Sequence, residues 1–336
     1  MSGSLRTPAS DRRPKNYEMI SVQNLTKRFG TKLAVNDISF QVGVGEVLGF
    51  LGPNGAGKST TMRMITGYFE PTAGHVSIDG INMSDEPSRA KEKIGYLPEN
   101  APLYDDMTVL SFLKFAADLR GLSGSAKTTA VDKALETCFL KPVRNQSIDT
   151  LSKGYRHRTC LAQSIIHDPE ILILDEPTDG LDPNQKAEVR NLIRRLGETR
   201  TIIFSTHILE EVEAACTRAI IIDKGKIVAD GTPEELKTKA VDAGAIEVRI
   251  DAPSSAAAVE AELGKLASAK RVSSKNLGEE GGAFTGCVIP KGKEKAGKLA
   301  SEIFELCMSK GFSLTELHQN PGRLDDVFRA ITRTGE

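Results

Sequence analysis

The chain lacks any long apolar segment: no run in its 336 residues approaches the roughly 20 residues that a helix needs to cross a bilayer. Residues 1–17 contain charges, serine and proline but no apolar core, which excludes a secretory signal and predicts a disordered tail. The formal net charge is only −1, so nothing attracts the whole chain to nucleic acid or to an anionic membrane. No nucleic-acid partner is therefore expected.

Cysteine is also sparse and unpatterned. No C-x-x-C pair and no metal-site spacing occur among the five cysteines, which are Cys138, Cys160, Cys216, Cys287 and Cys307. An odd, dispersed set is typical of reduced thiols, so we expect buried cysteines in a cytoplasmic protein. The sequence also has no internal repeat and no heptad run, which argues against a long coiled coil.

Short β-branched runs alternate with helical patterns from Ile20 to about Gly231. The predicted strands are Ile38–Val42, Val47–Leu51, His75–Ile78, Ile94–Tyr96, Ile171–Leu174, Thr201–Ser205 and Ala219–Asp223. Strands interleaved with helices indicate an α/β fold with a mostly parallel sheet. The tightly turning strands before Gly43 favour an antiparallel β subdomain, and residues 107–166 predict a helical subdomain.

The composition changes near Val241, and residues 245–336 predict a second, smaller domain. Its pattern is β-α-β-β-α-β followed by a helix, with a glycine-rich turn at Gly278–Gly282 between the middle strands. This order is ferredoxin-like and of the α+β class. No nucleophile, metal cluster or phosphate loop occurs in it, so we expect a regulatory or assembly role.

The segment Gly52-Pro-Asn-Gly-Ala-Gly-Lys-Ser-Thr60 fits the phosphate-binding pattern G-x-x-x-x-G-K-[ST]. A strand leads into it and a helix leaves it, so backbone N–H groups and a helix N-terminus can face the phosphates. Lys58 can reach the β- and γ-phosphates, and the Ser59 hydroxyl can bind Mg²⁺. The candidate phosphate-binding residues are Gly52, Asn54, Gly55, Gly57, Lys58, Ser59 and Thr60.

Two adjacent acids follow a buried strand in Ile171-Leu-Ile-Leu-Asp175-Glu176. Asp175 is expected beside the phosphate loop, where it can hold Mg²⁺ or a water bound to it. Glu176 can then orient and deprotonate an attacking water. An acidic surface turn is the alternative interpretation, and the phosphate loop argues against it.

Two weaker signals add to these. Leu151-Ser-Lys-Gly-Tyr-Arg156 precedes a helix, so Ser152 and the Gly154 backbone could form an anion site at its N-terminus. His207 follows the strand Thr201–Ser205 directly, where its ring could donate a hydrogen bond to a γ-phosphate oxygen.

The order of these motifs, from Met19 to Thr232, resembles the ATP-binding cassette (ABC) transporter ATPases. The resemblance implies a cassette over residues 18–240 that uses ATP and Mg²⁺. It implies that Phe29 stacks on adenine, that Asp179–Asp182 crosses a dimer interface, and that His207 is the switch histidine. Two cassettes, identical or paired, would close around ATP, with Ser152 and Gly154 contacting the γ-phosphate held by the opposite subunit.

The sequence departs from the family pattern at a few positions. Glu99 replaces the usual glutamine, and its carboxylate could still bind Mg²⁺. Lys153 replaces a glycine and Tyr155 a glutamine. Together with Asn100 and the segment Leu324-Asp-Asp-Val-Phe328, these departures make the sequence resemble the ATPase subunits of ABC-2-type exporters, especially the gliding-motility-associated group.

The resemblance implies an ATPase on the cytoplasmic face of a membrane that drives permease subunits carried by other chains. The loop Pro98–Met107, with Tyr104, could contact them, or could be a solvated loop. The main alternative is a non-transport ABC ATPase, which usually has two cassettes or a coiled-coil insertion. Another phosphate-loop enzyme, such as a kinase or GTPase, and a binding module that no longer hydrolyses ATP are further alternatives.

Overall fold

A computed structural model describes residues 17–100, 102–240, 242–252, 255–274, 283–292 and 295–333. Except for Tyr17, the predicted N-terminal tail lies outside the described residues, as does the predicted glycine-rich turn at 278–282. The chain forms two compact units, Met1–Pro233 and Glu234–Glu336. None of the described helices is both long enough and apolar enough to span a bilayer.

The first unit begins with paired strands and then alternates strands with helices. Its strands are β1 (Glu18–Phe29), β2 (Lys32–Gly43), β3 (Val47–Leu51), β4 (Ala73–Ile78), β5 (Ile81–Asn82), β6 (Ile94–Leu97), β7 (Ile171–Asp175), β8 (Thr201–Thr206), β9 (Arg218–Asp223) and β10 (Lys226–Gly231). Its helices are α1 (Lys58–Ile65), α2 (Pro87–Glu92), α3 (Val109–Leu119), α4 (Gly124–Thr137), α5 (Lys153–Ile165), α6 (Pro183–Gly197) and α7 (Leu209–Ala215). Two short 3₁₀ turns, Lys141–Val143 and Ile148–Thr150, lie between α4 and α5.

These strands form two sheets. An antiparallel sheet has the order β2-β1-β4-β5, and a six-stranded sheet has the order β10-β9-β3-β8-β7-β6. Every pair in the larger sheet is parallel except β9 with β10. The predicted mixture of a mostly parallel sheet, an antiparallel β subdomain and a helical subdomain is confirmed. Because β3, β8 and β7 are neighbours, the residues that follow them meet at one edge of the sheet.

The central strands are buried along their whole length. All residues of β3, β7 and β8 are buried. Apolar residues make up most of β3 and β7 and the centre of β8, as is typical of parallel strands that are covered on both faces. This packing fixes the strand ends and therefore the loops that carry the polar residues.

The sequence did not predict β10. Its residues alternate between exposed positions and half-buried or buried ones at the edge of the sheet, so they lack the apolar run of a central strand. The tight turn that joins β9 to β10 has φ of +47° at Lys224 and +78° at Gly225. Positive φ at both central residues is the geometry of a two-residue hairpin.

The helix α8 (Pro233–Lys237) begins at the last residue of the first unit and continues into the second. The second unit then contains β11 (Ile246–Asp251), α9 (Ala256–Gly264), β12 (Ala269–Ser274), β13 (Ala283–Pro290), α10 (Ala296–Lys310), β14 (Ser313–Gln319) and α11 (Leu324–Arg333). The strand order is β12-β13-β11-β14, and every pair is antiparallel. Alternate apolar residues of β11 and β13 share a core with α9 and α10. The ferredoxin-like order predicted from the sequence is confirmed.

Candidate active site

A cleft of about 390 Å³ lies in the first unit, at the edge where β3, β7 and β8 end. The residues that line it are Lys32, Ala34, Pro53, Asn54, Gly55, Gly57, Lys58, Ser59, Thr60, Glu99, Glu176, Asp179 and His207. Most of the predicted phosphate-loop residues therefore face one cavity, together with the candidate base and the candidate switch histidine.

The glycines of the phosphate loop are required by close backbone contacts. Gly57 has φ of +111°, and a Cβ placed on it would lie 2.6 Å from the Ala34 carbonyl oxygen. A Cβ on Gly52 would lie 2.4 Å from the carbonyl oxygen of Ile222. Only glycine fits these positions without displacing backbone, so the loop can curve tightly beneath the cleft.

Lys58 is buried at the start of α1, where its ammonium meets three oxygens. Its Nζ donates to the carbonyl oxygens of Gly52 at 2.7 Å and Pro53 at 3.3 Å. The third partner is Glu176, whose Oε1 lies 3.2 Å away in a nearly buried ion pair. A phosphate that enters the cleft would compete with Glu176 for this ammonium.

Asp175 lies at the end of β7 and is fully buried. Its Oδ1 accepts hydrogen bonds from the Ser59 hydroxyl at 3.1 Å and the Ser205 hydroxyl at 2.6 Å. Its Oδ2 is buried and has no hydrogen-bond partner among the described residues. Burial raises the pKa of this carboxyl above its usual value.

These atoms fit a Mg²⁺ ion. Mg²⁺ in nucleotide sites is usually held by one or two protein oxygens together with substrate phosphates. Ser59 Oγ and the unpartnered Asp175 Oδ2 are oxygens of that kind, beside the phosphate loop. Among the described residues, no group of three or more His, Cys, Asp or Glu side chains could hold a metal by itself, so the phosphates would have to supply further ligands.

Glu176 contacts both a cation and a histidine. Its Oε1 faces Lys58, and its Oε2 lies 3.0 Å from Nδ1 of His207. Its backbone has φ of +50°, a conformation that non-glycine residues rarely adopt. The carboxylate is nearly buried whereas the His207 side chain is 43% exposed, and both residues line the cleft.

The signature segment lies outside the cleft of its own chain. Ser152 is the N-cap of α5 and accepts a hydrogen bond from the Tyr155 backbone N–H at 3.4 Å. Gly154 packs against α6, since a Cβ there would lie 2.6 Å from the Gln185 side chain. The ammonium of Lys153 lies 3.9 Å from Asp179 Oδ2, so this departure from the family pattern contacts a residue that lines the cleft.

Two other predicted site residues occupy exposed positions. Glu99 is exposed and lines the cleft. Phe29 is 43% exposed but is not among the residues that line the cleft. Its ring packs edge-on against Phe69 at 5.5 Å, and the Lys27 ammonium lies 5.3 Å from its centre. Stacking of Phe29 on adenine therefore stays a prediction.

Sequence reasoning missed two buried residues behind the site. Ser205 hydrogen-bonds to both acids of the site, and Glu211 accepts hydrogen bonds from the hydroxyls of Thr178 and Thr206. Thr178 lies two residues after Glu176, and Thr206 ends β8 directly before His207, so Glu211 connects these two segments. The position of Ser205 near a strand end was the available signal, because polar side chains there face the ligand edge of a parallel sheet.

The fold and the cleft define a phosphate-loop nucleotide-binding domain. The family model described as ABC transporter matches residues 35–179. The "Nod factor export ATP-binding protein I" of Burkholderia lata is 33% identical over 314 residues, covering 93% of this chain and 96% of that protein. The chain belongs to the ATP-binding proteins of ABC transporters. Membership excludes the kinase and GTPase alternatives.

Two further matches differ in how much they cover. The "Probable multidrug ABC transporter ATP-binding protein YbhF" of Escherichia coli is 37% identical over 222 residues. The match covers 66% of this chain but only 38% of the length of that relative. A solved dimeric ATP-binding cassette in a post-hydrolysis state with ADP and Pi matches with a TM-score of 0.59 and 25% identity. It covers 64% of this chain and 99% of the solved one, so the similarity concerns the cassette.

Proposed function

We propose that this chain binds and hydrolyses ATP as the energy-supplying subunit of an ABC transporter of the exporter type. The observation that carries the proposal is the convergence of Lys58, Ser59, Glu176 and His207 on one cleft, with Asp175 directly behind Ser59. The cation, the metal-binding oxygens and the base that phosphoryl transfer to water requires are thereby within reach of one another.

Each side chain has a distinct part in the proposed reaction. Lys58 leaves Glu176 and binds the β- and γ-phosphates, which frees the carboxylate to accept a proton from the attacking water. His207 contacts Glu176 through Nδ1 and orients that carboxylate. When both ring nitrogens carry a proton, Nε2 can also donate to a γ-phosphate oxygen. Ser59 and Asp175 would hold a Mg²⁺, which supplies neutralising charge at the phosphate oxygens.

We further propose that two cassettes, either two copies or a pair of related chains, share each reaction. Ser152 and Gly154 do not line the cleft of their own chain, and Ser152 is exposed. The exposed start of α5 is thus available to a nucleotide held by another subunit. The matched solved cassette is described as dimeric.

Transport requires membrane subunits, and a groove of about 470 Å³ in the first unit is the proposed contact for them. Its lining consists of Arg63, Tyr68, Tyr96, Pro98, Asn100, Pro102, Arg120 and Gln163. The groove includes part of the predicted contact loop and exposes the Tyr68 ring at 70%. Burial raises the pKa of Tyr96 to about 12, so its phenol stays neutral in the groove.

The location that follows is peripheral, on the cytoplasmic face of a membrane. The names of the relatives favour transport over a non-transport ATPase, because they refer to multidrug transport and Nod factor export. We assign the second unit to regulation or assembly, since none of its described residues lines the cleft.

Coupling to a membrane partner can be tested at the groove. The tagged chain is co-expressed with the membrane protein of its gene neighbourhood and captured from detergent extract. Tyr68→Ala should lower the amount of membrane protein retained, because it removes the exposed ring from the groove. Phe139→Ala is the matched control, since Phe139 is an aromatic residue 48% exposed outside that groove. Equal retention by both variants would remove the groove from the proposal, and an active ATPase that retains no membrane protein would favour the non-transport alternative.

Glu99→Gln tests the proposed metal role of the residue that departs from the family pattern. Glutamine has a similar size and keeps one oxygen but removes a negative charge. We expect substantial ATPase activity with a shifted Mg²⁺ requirement and little change in ATP affinity. Activity measured against Mg²⁺ concentration checks this. An unchanged Mg²⁺ curve would mean that Glu99 only faces solvent, and the metal role should then be dropped.

A further inference from the structure

Ser205 lies between the two acids of the site. It is fully buried on β8, in register with Asp175 on the neighbouring strand β7. Its hydroxyl oxygen is 2.6 Å from Asp175 Oδ1 and 2.9 Å from the backbone nitrogen of Glu176. A single hydroxyl therefore contacts both the metal-binding carboxylate and the residue that carries the base.

The directions of these two hydrogen bonds are fixed. The Glu176 N–H can only donate, so the Ser205 oxygen accepts from it. The single Ser205 proton is then directed to Asp175 Oδ1. Because Ser59 also donates to Oδ1, both protein donors converge on one oxygen and leave Oδ2 without a hydrogen bond among the described residues. Ser205 thus helps to hold the carboxylate in the rotation that leaves Oδ2 available.

The same hydroxyl supports the backbone of the base. Glu176 has φ of +50°, and such a conformation persists only where neighbouring groups hold it. Two backbone contacts of Glu176 do so: its N–H donates to Ser205, and its carbonyl oxygen accepts from the Asp179 N–H at 3.1 Å. Loss of the Ser205 hydroxyl would leave a buried N–H without its acceptor and free the backbone that directs the carboxylate.

We propose that Ser205 is a positioning residue for ATP hydrolysis, which holds the metal-binding carboxylate and the base in a fixed relative position. The inference rests on the proposed function, because it assigns Asp175 and Glu176 the roles given there. Ser205 touches neither nucleotide nor water in this scheme. It acts through the Asp175 carboxylate and the Glu176 backbone.

Ser205→Ala tests this role against a matched control, Ser164→Ala. Ser164 is also fully buried, and its hydroxyl donates to the Leu161 carbonyl oxygen at 2.7 Å, within α5 and outside the cleft. Both variants lose one buried hydroxyl, so both should lose some stability. Only Ser205→Ala should lower kcat, by about 5- to 100-fold, the range expected when a buried polar group loses its partner. KM for ATP should change little, since Lys58 and the loop backbone are untouched.

A second readout does not depend on turnover. In a Glu176→Gln background, ATP-dependent dimer formation is followed by size-exclusion chromatography at increasing Mg²⁺. Adding Ser205→Ala should raise the Mg²⁺ needed for half-maximal dimer by about fivefold or more, and adding Ser164→Ala should not. Ser205→Cys, which keeps the volume but is a poor hydrogen-bonding group, should behave like the alanine variant and guards against a packing effect.

These experiments distinguish a failure of the Ser205 role from a failure of the proposed ATPase function. If the unmodified chain hydrolyses ATP and Ser205→Ala and Ser205→Cys match Ser164→Ala in kcat and in Mg²⁺ requirement, the positioning role is overturned while the proposed function stands. If the unmodified chain neither hydrolyses ATP nor forms an ATP-dependent dimer, the proposed function fails first.

Discussion

Glu176→Gln is expected to lower the rate of ATP hydrolysis by about 10²–10⁴-fold while ATP binding persists, because a positioned general base contributes that much. Glutamine keeps the shape of the side chain but cannot accept the proton of the attacking water. The Oε1 that pairs with Lys58 at 3.2 Å also loses its charge. The ammonium is then easier for phosphates to reach, so ATP affinity should stay equal or rise. Single-turnover hydrolysis and equilibrium ATP binding measure the two effects separately.

The same variant should accumulate as a dimer when ATP is present, since in the proposed cycle closure of the pair depends on ATP and reopening depends on its hydrolysis. Size-exclusion chromatography with ATP and with ADP distinguishes the two states. Glu136→Gln is the control, because Glu136 is an exposed glutamate that pairs with Lys141 on the helical subdomain. Near-normal turnover in Glu176→Gln would assign the base to another group.

Local motifs made the centre of this site predictable. The phosphate loop is contiguous in sequence, and its glycines serve backbone contacts that no other residue type allows. Asp175 and Glu176 follow a run of four apolar residues, which identifies both a buried strand and its end. Strand alternation with helices likewise indicated the parallel sheet, whose order then places these segments side by side.

Features that depend on distant partners were harder to predict. The contact between Ser205 and the acids joins residues about 30 positions apart, and it exists only because β7 and β8 pair in one register. Glu211 has no motif of its own and is recognised only by the two threonines that it holds. The contact between Phe29 and Phe69 was equally hard to predict, because it depends on tertiary structure. The family pattern suggests only that the Phe29 ring stacks on adenine.

Loss of Lys58 should have the second large effect, and it should act at a different step. Lys58→Ala removes the buried ammonium that is proposed to bind the phosphates. Hydrogen bonds to charged groups contribute enough to predict about 10- to 100-fold weaker ATP binding. Lys58→Met removes the charge while keeping most of the volume, so a similar loss in both variants identifies the charge as the cause.

Ser152→Ala should instead leave ATP binding by the isolated chain intact and impair ATP-dependent dimer formation, because its proposed contact is made across the interface.

Equilibrium nucleotide binding at low chain concentration, with dimer formation at high concentration, separates these two steps. Ser152 also caps α5, and replacing an N-cap serine by alanine costs about 0.5–2 kcal/mol of stability, whereas glycine costs only a few tenths. Ser152→Gly therefore keeps the helix and still lacks the hydroxyl, and it should reproduce the dimer defect of Ser152→Ala. Equal loss of ATP affinity in the Lys58 and Ser152 variants would contradict a signature that acts on the opposite subunit. We expect the Ser152 variants to bind ATP normally but form no dimer, and the Lys58 variants to bind ATP weakly. This result is expected when one cleft binds ATP and a second chain completes the site.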